Sequence, residues 1–133
     1  MATYDRLPVY RASYDFLVEA FAFVKTFPRE YKYTLGESVK RELLDLIRAV
    51  YRANGSMARR KEHVTEAREC LETVRLYLRL TKDLKLIAVD KFVRLNEHIE
   101  GISKQLFHWD KSLPGPRGPE PGDSTERPGE PQS

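Results

Sequence analysis

The sequence has few of the residues that metal and redox chemistry require. It contains a single cysteine, Cys70, and three scattered histidines in 133 residues. One cysteine cannot form an intrachain disulfide, which favours a reducing compartment, and these residues offer no zinc-site spacing. Cys70 lies in the middle of a helical pattern without an activating neighbour pattern, so a passive thiol is expected.

Two further sites that would indicate an enzyme or a cofactor are missing from the sequence. No glutamate stands three residues before any histidine, so the Glu-x-x-His pairs of di-iron helical bundles are excluded. Gly36 and Gly101 are isolated, and no glycine-rich phosphate loop is present. We therefore predict no metal, no cofactor and no catalytic residue.

Signals for a membrane or for secretion are also missing. No apolar run approaches the roughly 20 residues of a membrane-spanning helix. The first ten residues lack the charged start and the apolar stretch of a signal peptide. We therefore expect a cytoplasmic protein without membrane contact.

Charge and composition divide the chain into two parts. Residues 113–133 are rich in proline and glycine and nearly free of large apolar side chains, which predicts a disordered tail. Residues 1–112 are long enough for one domain, and they hold 21 Lys and Arg against 16 Asp and Glu, a net charge of +5. A basic domain of this kind is typical of contact with nucleic acid.

The apolar periodicity predicts four helices and no strand. The helical segments cover about residues 8–27, 34–53, 57–86 and 89–111, and Pro28 interrupts the pattern after the first. Asn54 and Gly55 predict a tight stop after the second segment, since both tolerate the left-handed conformation. The short loops predict an all-α, antiparallel up-down-up-down four-helix bundle. In the first segment we expect an inward face of Tyr10, Tyr14, Leu17, Phe21 and Val24. The inward faces expected for the other three segments are Leu35, Val39, Leu43, Leu46 and Val50; Val64, Ala67, Leu71, Val74 and Leu78; and Phe92, Leu95, Ile99, Ile102, Leu106 and Trp109.

The third segment carries a basic stripe between two apolar faces. Cations recur every seven residues at Lys61, Arg68, Arg75 and Lys82, and Arg79 falls on the same stripe. Seven residues are nearly two helical turns, so these side chains share one side of the helix. One apolar face should line the core, and we expect the other to contact a second chain. Its residues are Leu76, Leu80, Leu84 and Ile87.

Basic residues also cluster on the second helix, on the side opposite its core face: Arg41, Arg48 and Arg52. Glu37 and Asp45 lie within reach at helical spacing, so this cluster can also be read as an ordinary solvated surface. Both basic groups are candidate contacts for a polyanion.

A nuclease is an alternative, because small α-helical nucleases of the HEPN kind have a similar size and charge. Their motif places four to six residues between an arginine and the following histidine. Only three residues separate Arg59 from His63, and only three separate Arg94 from His98, so the spacing misses that pattern. We interpret both histidines as ordinary surface or helix-boundary residues.

Three stretches resemble the accessory variability determinant (Avd) proteins of diversity-generating retroelements. Phe27-Pro28-Arg29 with Tyr33-Thr34-Leu35-Gly36 resembles their first inter-helix junction. Residues 76–87, LYLRLTKDLKLI, are similar to their Leu- and Arg-rich third helix and its turn. Gly101 through Trp109 resembles their C-terminal helix, although Phe107-His108 stands where family members often have a glycine pair.

This resemblance implies a homopentameric barrel of four-helix bundles. It also implies a basic surface that binds a partner reverse transcriptase and its template RNA, or DNA or an RNA–DNA hybrid, to support mutagenic reverse transcription without catalytic residues of its own. Arg75, Arg79 and Lys82 occupy the family's basic third-helix positions.

Proteins encoded within ribosomal-RNA intervening sequences share the Phe-Pro junction and give the alternative prediction. Such a protein would be a structural or protein-interaction bundle without a direct nucleic-acid role. Their second helix usually includes Ala-Asn-Ile-x-Glu-Gly, which residues 49–55, AVYRANG, match poorly. The Avd-like interpretation is therefore favoured.

Overall fold

Helices account for all the regular secondary structure in the computed structural model, which describes residues 6–114. That part of the chain contains no strand, so the all-α prediction is confirmed. The predicted tail at residues 113–133 lies outside the described residues, apart from Leu113 and Pro114. The helices are α1 Pro8–Val24, α2 Arg29–Lys32, α3 Leu35–Gly55, α4 Arg60–Asp83 and α5 Val89–Lys111.

The short helix α2 was not predicted from the sequence. It is a single turn that follows Pro28, whose carbonyl accepts hydrogen bonds from the amides of Tyr31 and Lys32, both at 2.9 Å. Four residues are too few to show an apolar periodicity, so this turn leaves no signal in the sequence.

The four long helices pack in a closed cycle around one core. Helix α1 packs against α3 and α5, and α4 packs against the same two helices. The predicted inner faces of the last three helices are confirmed. The buried residues there include Leu43, Leu46 and Val50 of α3, Val64, Ala67, Leu71 and Val74 of α4, and Leu95, Ile99, Ile102 and Leu106 of α5.

The predicted inward face of α1 is confirmed at Val24, is only half-buried at Tyr10, Leu17 and Phe21, and is wrong at Tyr14. Tyr14 is 47% exposed and stacks on Tyr10 at the surface, with a 6.2 Å distance between ring centroids. The core is instead filled by Val9, Phe16 and Ala20. This helix is apolar around most of its circumference, and tyrosine prefers a position where its hydroxyl reaches water.

Helix α3 does not end as the sequence suggested. Gly55 is the last helical residue, and no glycine among residues 6–114 has a positive φ. Arg60 of α4 satisfies the end of α3 instead, because its guanidinium donates to the carbonyls of Ala53 and Asn54 at 2.7 and 3.0 Å. A cation at a helix C-terminus also interacts favourably with the helix dipole.

Helix α4 ends in the left-handed turn that had been expected elsewhere. Lys85 has φ 60°, and the amides of Lys85 and Leu86 donate to the carbonyls of Lys82 and Thr81. This pair of hydrogen bonds is the Schellman pattern, in which the left-handed position is usually glycine. The turn ends the helix at Asp83, about three residues earlier than predicted.

None of the helices between residues 6 and 114 combines the length and the apolar character that crossing a bilayer requires.

A cluster around Glu19 joins α1 to α5. Its carboxylate accepts hydrogen bonds from Arg94 Nε at 2.7 Å and Lys91 Nζ at 3.1 Å, and His98 Nε2 lies 3.3 Å away. The Arg94 guanidinium, with help from Lys91, lowers the pKa of Glu19 to about 2 against the opposing effect of burial. Folding therefore stabilises the ionised form of Glu19 relative to its protonated form.

We expect Glu19→Gln to destabilise the protein by about 1–2 kcal/mol at pH 7, since the substitution keeps the shape but removes the charge. Because the folded pKa is lowered, this stabilisation is complete above pH 4.5, the ordinary value, and is lost as the pH falls towards about 2. Urea unfolding at several pH values measures it. Glu69→Gln is the control, because Glu69 is exposed and has no ion pair among residues 6–114, and equal effects of both substitutions would contradict the assignment.

Gly36 lets the start of α3 approach α1 closely. A Cβ at this position would lie 2.8 Å from Val24 Cγ1 and 3.3 Å from the Tyr31 carbonyl oxygen. We expect Gly36→Ala to destabilise the fold by about 1–2 kcal/mol, as overpacking does. Gly101→Ala is the matched control because nothing lies within 4 Å of its Cβ, and it should stabilise α5 by about 0.5–1 kcal/mol. Thermal unfolding of both variants measures this difference, and a destabilised Gly101→Ala would contradict it.

Candidate nucleic-acid interface

The basic stripe on α4 faces α5, and its first half is neutralised there. Lys61 Nζ lies 2.6 Å from Asp110 Oδ1, and Arg68 bonds to the other oxygen of the same carboxylate. The Lys61 ammonium, together with Arg68, lowers the pKa of Asp110 despite its burial. Arg75 bonds to Glu100 of α5 and, at 3.2 Å, to Glu72 of α4.

The second half of the stripe has weaker partners. Arg79 is 71% exposed, and its Nε lies 3.9 Å from Asp83. Lys82 also lies 3.9 Å from Asp83, and its ammonium stands 5.4 Å from the ring centroid of Phe92. An exposed ion pair of this length contributes little, so these two cations are available to an external anion. The structure thus separates the predicted stripe into a paired part at Lys61, Arg68 and Arg75 and an available part at Arg79 and Lys82.

The second basic cluster lies on the outer face of α3. Arg41 and Arg52 are exposed and form no ion pair with any residue between 6 and 114. Arg48 is bound to Asp45 at 2.9 Å and still exposes half of its side chain. The sequence favours the α4 stripe over this cluster, but in the structure Arg41 and Arg52 are as available to a ligand as Arg79 and Lys82.

Two apolar side chains on the same face of α3 were missed by the sequence analysis. Leu44 and Tyr51 are 44% and 52% exposed and lie between the arginines at helical spacing. Arg41 and Arg48 line one shallow depression with Leu44, and Arg52 lines a second with Tyr51. A surface that combines cations with an exposed aromatic ring is suited to binding single-stranded nucleic acid.

Three of the four residues predicted for the subunit interface are exposed in the structure. Leu76, Leu80 and Leu84 are 65%, 41% and 38% exposed and follow one another at spacings of four residues. Large apolar side chains exposed in a row mark an interaction site more often than a solvent-facing surface. These three residues are called the leucine strip below.

Ile87 does not belong to this surface, which corrects the prediction. It is 9% exposed and packs in the core. The helix ends at Asp83, and the left-handed Lys85 turns the chain, so positions after it no longer follow the face of α4. The leucine strip therefore ends at Leu84.

The two histidines and the cysteine that were considered for catalysis are buried or half-buried. His63 lies in the first turn of α4, in agreement with a helix-boundary position, but it is buried rather than on the surface, and its Nδ1 lies 3.2 Å from Glu66. His98 lies beside Glu19 and stacks on Phe16. Burial, with the nearby Glu42 and Asp45, raises the pKa of the Cys70 thiol to about 12, so it stays protonated at neutral pH. Residues 6–114 contain no group of three or more His, Cys, Asp or Glu that could hold a metal ion.

Comparison with known proteins identifies the family of this chain. No curated protein and no solved structure matches the sequence. The sequence model of one family, described as bAvd-like, matches residues 9–113, which span all five helices. The match covers most of the chain and includes the junction, third-helix and C-terminal stretches on which the resemblance rested. The chain therefore belongs to the bAvd-like family, in agreement with its resemblance to the Avd proteins.

Proposed function

We propose that this protein is a non-enzymatic accessory factor of a diversity-generating retroelement. In this proposal it binds the partner reverse transcriptase and the template RNA in the cytoplasm and supports mutagenic reverse transcription. The observation that carries the proposal is that residues 76–84 present both the available cations Arg79 and Lys82 and the exposed leucine strip, in a chain of the bAvd-like family. The end of α4 therefore offers cations for an anion and, on another side, an apolar surface suited to a second protein subunit.

The proposed subunit is an antiparallel up-down-up-down bundle. Contacts between α4 and α5 support this order, because Lys61 near the start of α4 meets Asp110 near the end of α5. At the other end of the pair, Lys82 meets Phe92. Helices α1 and α3 fit the same antiparallel order, since Val24 at the end of α1 contacts Gly36 at the start of α3.

The proposed assembly is a homopentamer in which the leucine strip is covered by a neighbouring copy. Each leucine contributes on the order of 1.5–3 kcal/mol when fully buried, and a ring buries the strip once per subunit. A ring would also repeat Arg79 and Lys82 around its axis. The repeated cations would raise the local concentration of positive charge and strengthen attraction for a polyanion.

A structural module of the ribosomal-RNA intervening-sequence type is the second candidate function. The pairing of Lys61 and Arg68 with Asp110, and of Arg75 with Glu100, favours it, since these cations already serve the fold. In that case the leucine strip would bind protein while the remaining cations would only increase solubility. RNA binding separates the two candidates.

We expect the wild-type protein to bind single-stranded RNA with a strong salt dependence, because each phosphate contact releases counterions. The double variants Arg79→Gln/Lys82→Gln and Arg41→Gln/Arg52→Gln should each weaken binding about tenfold. Each should also reduce the log–log salt slope by about 1.4, at about 0.7 per contact on single strands. Fluorescence anisotropy with a labelled RNA, titrated at several salt concentrations, measures both quantities.

The control for this experiment is Arg11→Gln/Lys25→Gln, which removes the same charge from an exposed position of α1 and from the exposed residue that follows this helix. A long-range effect of net charge would lower affinity equally in all three double variants. If none of the double variants changed the RNA affinity, neither basic cluster would be part of the RNA-binding site. A wild-type protein that does not bind RNA would support the structural module.

We expect the wild-type protein to sediment as an oligomer and Leu80→Glu to sediment as a monomer, because a carboxylate cannot be buried in an apolar contact without a partner. Leu80 is exposed in the isolated subunit, so the variant monomer should keep the helix content and the cooperative melting of a folded bundle. Analytical ultracentrifugation and circular dichroism measure the two properties. Val18→Glu, at a 51% exposed position of α1, is the control. A monomeric wild type, or a Leu80→Glu oligomer of unchanged mass, would contradict the proposed interface.

A further inference from the structure

The outer face of the last two turns of α5 combines two cations with two aromatic rings. Lys104, Phe107, His108 and Lys111 occupy positions i, i+3, i+4 and i+7, which share one side of a helix, and all four are exposed. Phe107 is 44% exposed, whereas phenylalanine is usually buried in a folded protein. These four residues are called the α5 patch below.

The side chains of the α5 patch form one contiguous surface with Arg68 of α4. The Phe107 ring centroid lies 5.6 Å from the Lys111 ammonium and 5.7 Å from the Arg68 guanidinium carbon. The His108 ring meets it edge to face, with 5.6 Å between centroids. An exposed aromatic ring is therefore surrounded by charged and polar groups within the reach of a single nucleotide.

The charge of this surface is positive. Neither Lys104 nor Lys111 forms an ion pair with any residue of the described part of the chain. Asp110, the acidic residue beside Lys111 in the sequence, is only 14% exposed and is already bound to Lys61 and Arg68. None of the four patch residues is acidic, so a phosphate can approach the ring from the side of Lys104 and from the side of Lys111.

We infer that the α5 patch binds an unpaired nucleobase of single-stranded RNA on Phe107 and the flanking phosphates on Lys104 and Lys111. The inference rests on the proposed function and adds to it a site that the family resemblance does not supply, since Phe107 and His108 stand where many relatives have glycines. Base–aromatic stacking is stronger than an exposed cation–π contact, so a base can displace the Lys111 ammonium from the ring. The displaced ammonium then lies close to the neighbouring phosphate.

A membrane surface fits the α5 patch less well than RNA does. A helix that lies on a bilayer presents a broad apolar face, whereas here one phenylalanine is enclosed by lysine and histidine side chains. An unpaired base needs only one ring for stacking and one or two cations for its phosphates.

The test compares two labelled probes of equal length and charge: a uridine oligonucleotide and an oligonucleotide in which several central nucleotides are abasic. We expect Phe107→Leu, which keeps an apolar side chain of similar size, to weaken binding of the uridine probe by about 5- to 50-fold. The abasic probe has no base to stack at the centre, so its affinity should change less than about twofold. Lys104→Gln/Lys111→Gln should weaken both probes equally, since it removes phosphate contacts.

Tyr33→Leu is the matched control, because Tyr33 is an exposed aromatic residue, 66% accessible, just before α3 at the opposite end of the bundle from Phe107. It should leave both affinities unchanged, and circular dichroism checks that every variant is folded. Equal affinity of wild type and Phe107→Leu for the uridine probe would overturn the α5 site while leaving the proposed function standing. A wild type that binds neither probe would overturn both, and Phe107-dependent binding to phosphatidylserine vesicles with unchanged RNA binding would assign the patch to membranes instead.

Discussion

The contact between α4 and α5 determines what the rest of the surface can do. Asp110 receives Lys61 and Arg68, and Glu100 receives Arg75, so three of the evenly spaced cations of α4 are held by two carboxylates of α5. Asp110 is largely shielded from water, where an ion pair is stronger than at an open surface. These pairs require the same rotation of α4 about its own axis as the burial of Val64, Leu71 and Val74, and this rotation places Leu76 and Leu80 outside the bundle.

The end of α4 limits the exposed apolar surface in a similar way. The left-handed Lys85 allows the chain to turn back, and Ile87 then packs in the core, whereas Leu80 and Leu84 are exposed. A residue with a Cβ in this conformation costs about 1–2 kcal/mol, which glycine would not incur. Burying Ile87 is worth on the order of 2 kcal/mol, enough to offset that cost. The strained turn therefore ends the leucine strip at Leu84 and closes one end of the core.

The amphipathic helices could be predicted from the sequence, because spacing within one helix determines which residues share a face. The core residues of α3, α4 and α5 followed from this rule, but Tyr14 of α1 did not, since that helix is apolar on several sides. The ion pairs could not be predicted in the same way. Arg68 and Asp110 are separated by 42 residues, and only the packing of α4 on α5 brings them together. The cap that Arg60 provides for α3 depends on a turn between helices that periodicity does not describe.

The same dependence on distant partners explains why a regular spacing did not identify one uniform binding site. Lys61, Arg68, Arg75 and Lys82 are equivalent in sequence, yet a carboxylate of α5 is in reach of the first three only. At the position of Lys82 the neighbouring helix offers Phe92, whose ring attracts the ammonium without neutralising it. A cation held by a ring keeps its full charge for an approaching phosphate, whereas one shared with a shielded carboxylate must first lose that partner. The nearest side chain on α5 therefore decides which α4 cations stabilise the bundle and which remain available to a ligand.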